Sequence, residues 1–310
     1  MTRACSPASS VTPMTSTTLK LLITYKYEED QLLKLLCARM LEDAFRARPD
    51  VRVFHSGEVE PREVDVVFNS PPFGDIVSGR LTAWWDTEAC NFHREDQFVS
   101  DIVLAPYTCG RDYLYPADKT YLFPFATDPE YWSRQPVEYA YDVGFIGRGG
   151  GRRHKRMEWL QHVHDSFPEG RMLWTDQVER GVPVSRLLSS AKVLLQVSGD
   201  ASGGVMETRF FEIGLLGPLV VDLTDVNRQD FLWAAEPDYH FIGVETKEEM
   251  VEKIRWLLEN EDARLLMADR ARRNYLLRHT YDVRARQFLE TIGFLKGPGL
   301  LNFHTREGSA

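Results

Sequence analysis

The densest group of chemically active side chains in this sequence is a glycine-rich stretch, GRGGGRRHKR, at residues 147–156. Glycines let a ligand approach the backbone N–H groups closely, and both a helix N-terminus and cationic side chains favour phosphate. The stretch therefore predicts an anion site suited to a diphosphate, with Gly147, Arg148, Arg153 and Lys155 as binding residues. The alternative is a flexible loop followed by a solvated basic helix face. Its spacing is not the full dinucleotide fingerprint GxGxxG, which disfavours a dehydrogenase.

A second polar stretch, beginning at Ser198, leads into a helical pattern. Two glycines precede the pattern and offer backbone N–H groups, while two glutamates lie near its start, where one carboxylate can hold a ribose diol. The candidate binding residues here are Gly203, Gly204, Glu207, Arg209 and Glu212. The alternative for Arg209 is an ion pair with one of the two acids across a helical turn.

These stretches sit in a chain where apolar runs of strand length alternate with helical patterns, as in βα units around a largely parallel sheet. Strands are predicted at 19–24, 51–54, 64–68, 81–85, 102–105, 121–125, 142–146, 171–174, 193–197, 219–223 and 239–244. Helices are predicted at 28–48, 155–167, 183–191, 206–216, 225–234, 247–259, 262–278 and 282–295. Thr246 and Thr280 are positioned as N-caps of the last helices.

A chain of 310 residues exceeds what one hydrophobic core usually supports, so two domains are expected. We predict an α/β fold of two Rossmann-like domains that face a central cleft, with ligands at the carboxyl ends of the strands. We predict a disordered head at 1–18, an N-terminal domain at 19–134 and a C-terminal domain at 135–280. Residues 281–310 are predicted to form a last helix with a tail, for which a return to the N-terminal domain is one option.

Composition excludes several classes of function. The net charge of −9 gives no overall electrostatic footprint for nucleic acid. The four cysteines form no CxxC pair, which argues against a zinc site or a disulfide framework and favours a reducing cytoplasm. No apolar run approaches the roughly 20 residues that span a bilayer, so no membrane span is expected.

Three segments of the C-terminal half form a recognisable set: YDVGFIG at 141–147, RFFE at 209–212 with GPLVV at 217–221, and HTY at 279–281. Together they resemble the CgeB-like (spore maturation protein B-like) branch of the group 1 glycosyltransferases. The resemblance implies the GT-B fold and transfer of a sugar from a nucleoside diphosphate sugar, with UDP as the expected carrier, to a hydroxyl acceptor. It implies that Glu212 holds the nucleotide ribose and that Arg209 lies by the phosphates. The wider group often has another acid eight positions before that glutamate, where this chain has Gly204.

The N-terminal half would then supply the acceptor side. Asp86 and Glu88 follow a predicted strand, so they emerge at a carboxyl end, and an inverting transfer needs such a carboxylate or a histidine as base. His93 is the alternative base. In a retaining transfer, toward which the resemblance leans, these residues only position the acceptor. Trp84 and Trp85 are able to stack a sugar, but strand alternation turns at least one of them into the core.

No DxD-type carboxylate pair follows a strand in a metal-binding context, so we expect neither a metal nor a cofactor besides the donor substrate. The acceptor is open. One candidate is a hydroxymethylated base in phage-type DNA, which would place the protein in a host cytoplasm, although acidic side chains outnumber basic ones over residues 1–134. The same fold would also suit a sugar-nucleotide epimerase or hydrolase, or a non-catalytic nucleotide-binding module, because fold alone does not fix function.

Overall fold

The structure is a computed structural model, and it describes residues 18–24, 32–70, 77–85, 100–106, 118–147, 154–176, 182–198, 208–224, 228–300 and 302. Its strands are β1 (Leu19–Thr24), β2 (Val51–His55), β3 (Val66–Asn69), β4 (Thr82–Trp85), β5 (Ile102–Ala105), β6 (Thr120–Leu122), β7 (Tyr141–Ile146), β8 (Met172–Thr175), β9 (Ala191–Gln196), β10 (Leu219–Asp222) and β11 (Ile242–Val244). Its helices are α1 (Leu32–Arg46), α2 (His154–Asp165), α3 (Val182–Ser189), α4 (Thr208–Ile213), α5 (Arg228–Ala234), α6 (Lys247–Glu259), α7 (Glu261–Arg278) and α8 (Tyr281–Thr291), with a 3-10 turn at Pro61–Glu63.

The chain divides into two compact units, each built on one parallel sheet. The first unit comprises Met1–Pro124 with Tyr281–Ala310, and the second comprises Phe125–Thr280. In the first unit the strand order is β2-β1-β3-β4-β5-β6, and in the second it is β11-β10-β9-β7-β8. Neighbouring strands pair in parallel throughout, with Leu19 opposite Val51 at one end of the first sheet. The predicted α/β class with two parallel sheets is confirmed.

The core of the first unit is a cluster of aromatic rings between the sheet and helices α1 and α8. The ring of Phe68 on β3 lies 5.2 Å from Phe288 of α8 and 6.0 Å from Phe45 of α1, measured between centroids. A second cluster, around Val67, occupies the opposite face of the same strand. Because helices and loops cover both faces, the central strands are apolar without alternation. Helix α8 is fixed to this unit by Arg284, whose Nε donates to the Pro124 carbonyl at 2.9 Å.

Trp84 and Trp85 are both buried, with exposed fractions of 3 % and 0 %. Strand alternation correctly places them on opposite faces, but because both faces of the sheet are covered, neither ring is open to a sugar. The proposed stacking role is therefore wrong for both rings in this structure.

The second unit begins about ten residues before the predicted boundary at residue 134. The Thr127 N–H donates to the His279 carbonyl at 2.8 Å, and the Ser185 hydroxyl donates to the Tyr131 carbonyl at 2.8 Å. These bonds attach the segment before β7 to helices of the second unit. The residues on both sides of the predicted boundary therefore belong to the second unit.

Candidate functional site

The second sheet has a topological switch point between β7 and β9. After β7 the chain continues to β8 on one side, and after β9 it continues to β10 on the other side. The connections that leave these two strands therefore diverge, and the crevice between them at the carboxyl edge is where open α/β sheets bind ligands. Gly147 directly follows β7, and Ser198 lies two residues beyond β9. Both polar stretches found in the sequence begin at this edge.

Gly147 and Arg209 are in contact at the switch point. Gly147 has φ +155°, and a Cβ built on it would lie 2.9 Å from Nη2 of Arg209 and 3.2 Å from the Phe145 ring. The Gly147 N–H donates to the Thr175 carbonyl at 2.9 Å, which links the ends of β7 and β8. Because Gly147 has no side chain, the Arg209 guanidinium has room to lie against it. The structure brings together these two predicted residues, which lie 62 positions apart in the sequence.

The Phe145 ring contacts the guanidinium groups of two arginines at this edge. The Arg209 guanidinium carbon lies 5.2 Å from its ring centroid and that of Arg156 lies 5.9 Å away, both within cation–π range. Arg156 is 3 % exposed and its Nε donates to the Val197 carbonyl at 2.8 Å. This bond joins the start of α2 to the segment after β9. Arg156 is therefore structural, whereas Arg209 is half-buried at the edge.

Glu212 lies one turn after Arg209 on α4 and is 5 % exposed. Its carboxylate is therefore not on the exposed surface of the helix. Burying a carboxylate costs free energy unless hydrogen bonds or opposite charges compensate. Buried carboxylates are therefore frequent at functional sites. The structure thus places Arg209 against Gly147 and buries Glu212 one turn further along the same helix.

The short helix α4 is held by aromatic packing on its other side. Phe210 and Phe211 have no exposed surface, and their rings lie 5.6 and 6.1 Å from that of Tyr275 on α7. Complete burial raises the pKa of the Tyr275 hydroxyl well above its ordinary value of 10.0. A Cβ on Gly214 would lie 2.3 Å from the Tyr275 ring, so only glycine fits where α4 ends. This packing holds the helix that carries Arg209 and Glu212.

His279, from the motif HTY, has a structural role. It is 1 % exposed, its Nε2 is 2.8 Å from the Ala234 carbonyl, and its ring packs on Phe211 at 5.2 Å. His279 therefore packs against α4 inside the second unit.

Lys155 forms an ion pair that the sequence did not indicate. Its Nζ lies 2.9 Å from Oδ2 of Asp222 and donates to the Thr224 carbonyl at 3.1 Å. Asp222 ends β10, has no exposed surface, and also accepts from the Thr224 N–H at 2.9 Å. The only signal in the sequence was a carboxylate at the end of the apolar run LVVD. Lys155 thus links α2 to β10 at the carboxyl edge, with its charge balanced by a buried acid.

Several predicted site residues lie outside the part of the chain that the structure describes. They are Asp86, Glu88, His93, Arg148, Arg153, Gly203, Gly204 and Glu207. Their roles stay predictions. Of the described residues next to them, Trp85 ends β4 directly before Asp86, and Ser198 is a buried residue whose hydroxyl has no hydrogen-bond partner in the described structure.

Two absences apply to the described ranges. Within them, no group of three or more His, Cys, Asp or Glu side chains is arranged to hold a metal ion. None of the helices described is both long and apolar enough to cross a bilayer.

Comparison with known proteins gives one family match. Residues 143–290 match the family model described as "Glycosyl transferase-like", which is a little under half of the chain and contains the switch point of the second unit. No curated protein sequence matches the chain.

Three solved structures have a similar fold at low sequence identity. Anabaena HepE in complex with UDP and glucose aligns with a TM-score of 0.61 at 11 % identity, over 90 % of this chain and 100 % of that one. An alpha-glucosyltransferase in complex with UDP and a 13-mer DNA containing an HMU base aligns with a TM-score of 0.62 at 10 % identity, over 89 % and 99 %. A putative UDP-N-acetylglucosamine 2-epimerase from Listeria monocytogenes aligns with a TM-score of 0.51 at 12 % identity, over 91 % and 99 %. These similarities show the fold, which is the predicted GT-B class.

Proposed function

We propose that this protein is a glycosyltransferase that moves a sugar from a nucleoside diphosphate sugar, with UDP as the carrier, to a hydroxyl acceptor. The observation that carries the proposal is the contact of Arg209 with Gly147 at the switch point, with the buried Glu212 one turn further on α4. A cation at the carboxyl edge of a parallel sheet suits a diphosphate, and a buried carboxylate suits a ribose diol. The family match and the similar structures that contain UDP support it.

The donor-binding residues fall into groups with different proposed tasks. Arg209, with Arg148 and Arg153, balances the charge of the leaving diphosphate, so that no metal ion is needed. Glu212 accepts hydrogen bonds from the ribose hydroxyls. Lys155 adds positive charge from a distance, and since Asp222 already pairs with it at 2.9 Å, its removal should weaken UDP binding less than removal of Arg209.

The remaining finer assignments also belong to this proposal. Gly203, Gly204 and Glu207 contribute to the donor site. On the acceptor side, the candidate bases are Asp86, Glu88 and His93. The CgeB-like branch is the proposed subgroup, on the strength of its three matching segments. A reducing cytoplasm is the proposed location, since the four cysteines of the sequence form no CxxC pair.

Isothermal titration calorimetry with UDP, uridine and inorganic diphosphate tests the donor site. Arg209→Ala should lower UDP affinity by about 10- to 150-fold, equivalent to about 1.5–3 kcal/mol for a charge-assisted hydrogen bond, while uridine binds as before. Glu212→Gln, which keeps the side-chain volume, should weaken UDP and uridine but leave diphosphate unchanged. Matched controls are Arg186→Ala and Glu259→Ala, which alter exposed side chains on α3 and α6. Wild-type UDP affinity in a folded Arg209→Ala protein would refute the assignment.

Modified DNA is the second candidate acceptor, because one similar structure contains UDP together with a DNA that carries an HMU base. The excess of acidic side chains over residues 1–134 argues against it. Filter binding of HMU-containing and unmodified duplexes at two salt concentrations separates the cases. A DNA-modifying enzyme should retain the HMU duplex preferentially at low salt.

Two further activities are distinguished by the fate of the sugar. A hydrolase or an epimerase, the latter represented among the similar folds, would convert the sugar nucleotide at the same rate with and without an acceptor. A non-catalytic module would bind UDP and turn over no donor in any acceptor screen. The proposed transferase requires a product that contains both sugar and acceptor.

A further inference from the structure

Helix α7 presents leucines to solvent on the side opposite its packed face. Its inner face is buried through residues such as Met267, Ala271 and Tyr275. On the outer side, two leucine pairs are exposed: Leu265 at 40 %, Leu266 at 48 %, Leu276 at 36 % and Leu277 at 75 %. Single exposed leucines are ordinary, but four on one helix form an apolar surface that needs a reason.

The two leucine pairs share one stripe of the helix. They are 11 residues apart, and at 3.6 residues per turn this spacing returns to nearly the same direction, within about 20°. Between the pairs the same stripe carries Asp269, Arg272 and Arg273, all exposed. We call these seven residues the α7 stripe. Its side chains follow the order leucine pair, acid, arginine pair, leucine pair.

This order is self-complementary when two copies of the helix run antiparallel. The first leucine pair of one copy then faces the second pair of the other, and Asp269 faces the arginine pair. A two-fold axis near residue 271 makes every contact twice, as an isologous interface requires. We propose that the α7 stripe binds the same stripe of a second copy of this chain, and that the protein forms a two-fold symmetric dimer through it.

Charge favours a second copy over an anionic lipid surface. A lipid-binding stripe gains from cations alone, whereas here Asp269 lies within the stripe and pairs with Arg273 of its own helix at 2.8 Å. In the dimer the same acid gains a second arginine partner. The helix is about 27 Å long, and a single helix pair buries less than a standard interface of roughly 1,600 Å². The dimer is therefore expected to dissociate in the micromolar range.

Charge reversal tests the pairing, with sedimentation velocity as the measurement. Asp269→Arg makes the stripe wholly basic and Arg272→Asp with Arg273→Asp makes it wholly acidic, so each variant alone should be monomeric at concentrations where the wild type is dimeric. An equimolar mixture of the two variants should restore the dimer, because each arginine then faces an aspartate of the other chain. The dissociation constant of each variant alone should rise at least tenfold.

Two further measurements keep the result unambiguous. Leu277→Ser should also favour the monomer, whereas Leu232→Ser, which alters a leucine that is 57 % exposed on α5, should leave the dimer intact. Thermal melts should show all variants folded, because exposed ion pairs contribute little to stability. UDP affinity should not change, which separates this proposal from the proposed activity. A wild-type monomer at 100 µM, or a mixture of variants that stays monomeric, would overturn the proposal, as would binding of the wild-type monomer to anionic vesicles.

Discussion

The two sheets have the same kind of switch point but place different chemistry there. In the first unit the ends of β1 and β3 are joined by a neutral bond, from the Thr24 hydroxyl to Oδ1 of Asn69 at 2.8 Å. In the second unit the ends of β7 and β9 carry Gly147 with the Arg209 guanidinium against it. The same topology therefore carries different groups at its described strand ends. In the first unit a neutral amide and hydroxyl bond to each other, whereas in the second a cation lies against a glycine.

The largest expected effects come from the two aromatic cores, which should differ in their consequence for binding. Phe68→Ala in the first unit and Phe210→Ala in the second each remove a buried ring with four aromatic neighbours. Each change should lower the free energy of unfolding by about 3–5 kcal/mol. Only Phe210→Ala should also weaken UDP, because Phe210 seats the helix that carries Arg209. Denaturant unfolding and calorimetry below the transition measure both quantities.

The milder changes Phe68→Leu and Phe210→Leu serve as controls, since they keep most of the apolar volume and should retain most of the stability. Equal losses of UDP affinity in the two alanine variants would contradict the division between the units, because the first core would then influence the donor site as strongly as the second.

A smaller effect is expected at the switch point of the first unit. Asn69 is 2 % exposed, accepts from the Val77 N–H at 3.0 Å and donates to the Val77 carbonyl at 3.1 Å. Asn69→Ala leaves these buried groups and the Thr24 hydroxyl without their partner, and should lower the free energy of unfolding by about 1–3 kcal/mol. Thr24→Val removes a single bond and should cost less.

Calorimetry with UDP distinguishes a structural amide from a ligand contact. Both the Asn69→Ala and Thr24→Val proteins should bind UDP as the wild type does. A selective loss of UDP affinity in folded Asn69→Ala protein would show that the first switch point also contributes to the donor site.

The sequence predicted features whose causes are local. Helix α6 was predicted at its observed bounds, since Thr246 caps it by accepting from the Glu249 N–H at 3.1 Å. The apolar runs of β1 and β5 were also predicted at their observed bounds. The predicted helix over 206–216 ends earlier in the structure, at Ile213. The requirement for glycine at the next position is not local, because a Cβ on Gly214 would lie 2.3 Å from the ring of Tyr275 on α7.

Two more elements are shorter than predicted, because the apolar pattern runs on through a turn at one end of each. The strand predicted from 239 begins only at Ile242, because a turn precedes it, with Asp238 at φ +59°. The helix predicted to reach 295 ends at Thr291, followed by Gly293 at φ +73°. There the N–H of Phe294 donates to the Leu289 carbonyl at 2.9 Å, as in a glycine-terminated helix.

The site was predictable by residue type but not by partner. Glycine and arginine near a helix start indicated an anion site and glutamate indicated a ribose contact. In the structure Arg209 lies against Gly147, and Glu212 is buried one turn further on α4. The pairing of Lys155 with Asp222 was not predictable, because it depends on which strand end the start of α2 reaches. A sequence shows which side chains are present, whereas ion pairing between distant segments follows from packing.

The smallest effect on stability is expected at Asp142, which lies at the opposite end of β7 from Gly147. It tests whether the two edges of that sheet differ in function. Asp142 accepts from Nε and Nη2 of Arg171 at 2.8 and 2.6 Å and lies 2.9 Å from Nζ of Lys192. The hydrogen bond from Arg171 is the largest cause that holds the pKa of Asp142 below its ordinary value of 3.8, opposed by burial and aided by Lys192.

A carboxyl whose pKa is lowered by folding stabilises the protein above its ordinary value, and this contribution is lost as the pH falls through the lower folded value. Asp142→Asn should therefore lower Tm by only about 1–3 °C at pH 7, since the Arg171 side chain is 41 % exposed and an amide still accepts one bond. The difference from the wild type should stay constant down to about pH 5 and close below about pH 4. UDP affinity at pH 7 should not change, because Asp142 lies at the amino end of the strand. A Tm difference that widened on acidification would reverse the sign of the argument, and a loss of UDP affinity would mean that the two ends of β7 are coupled.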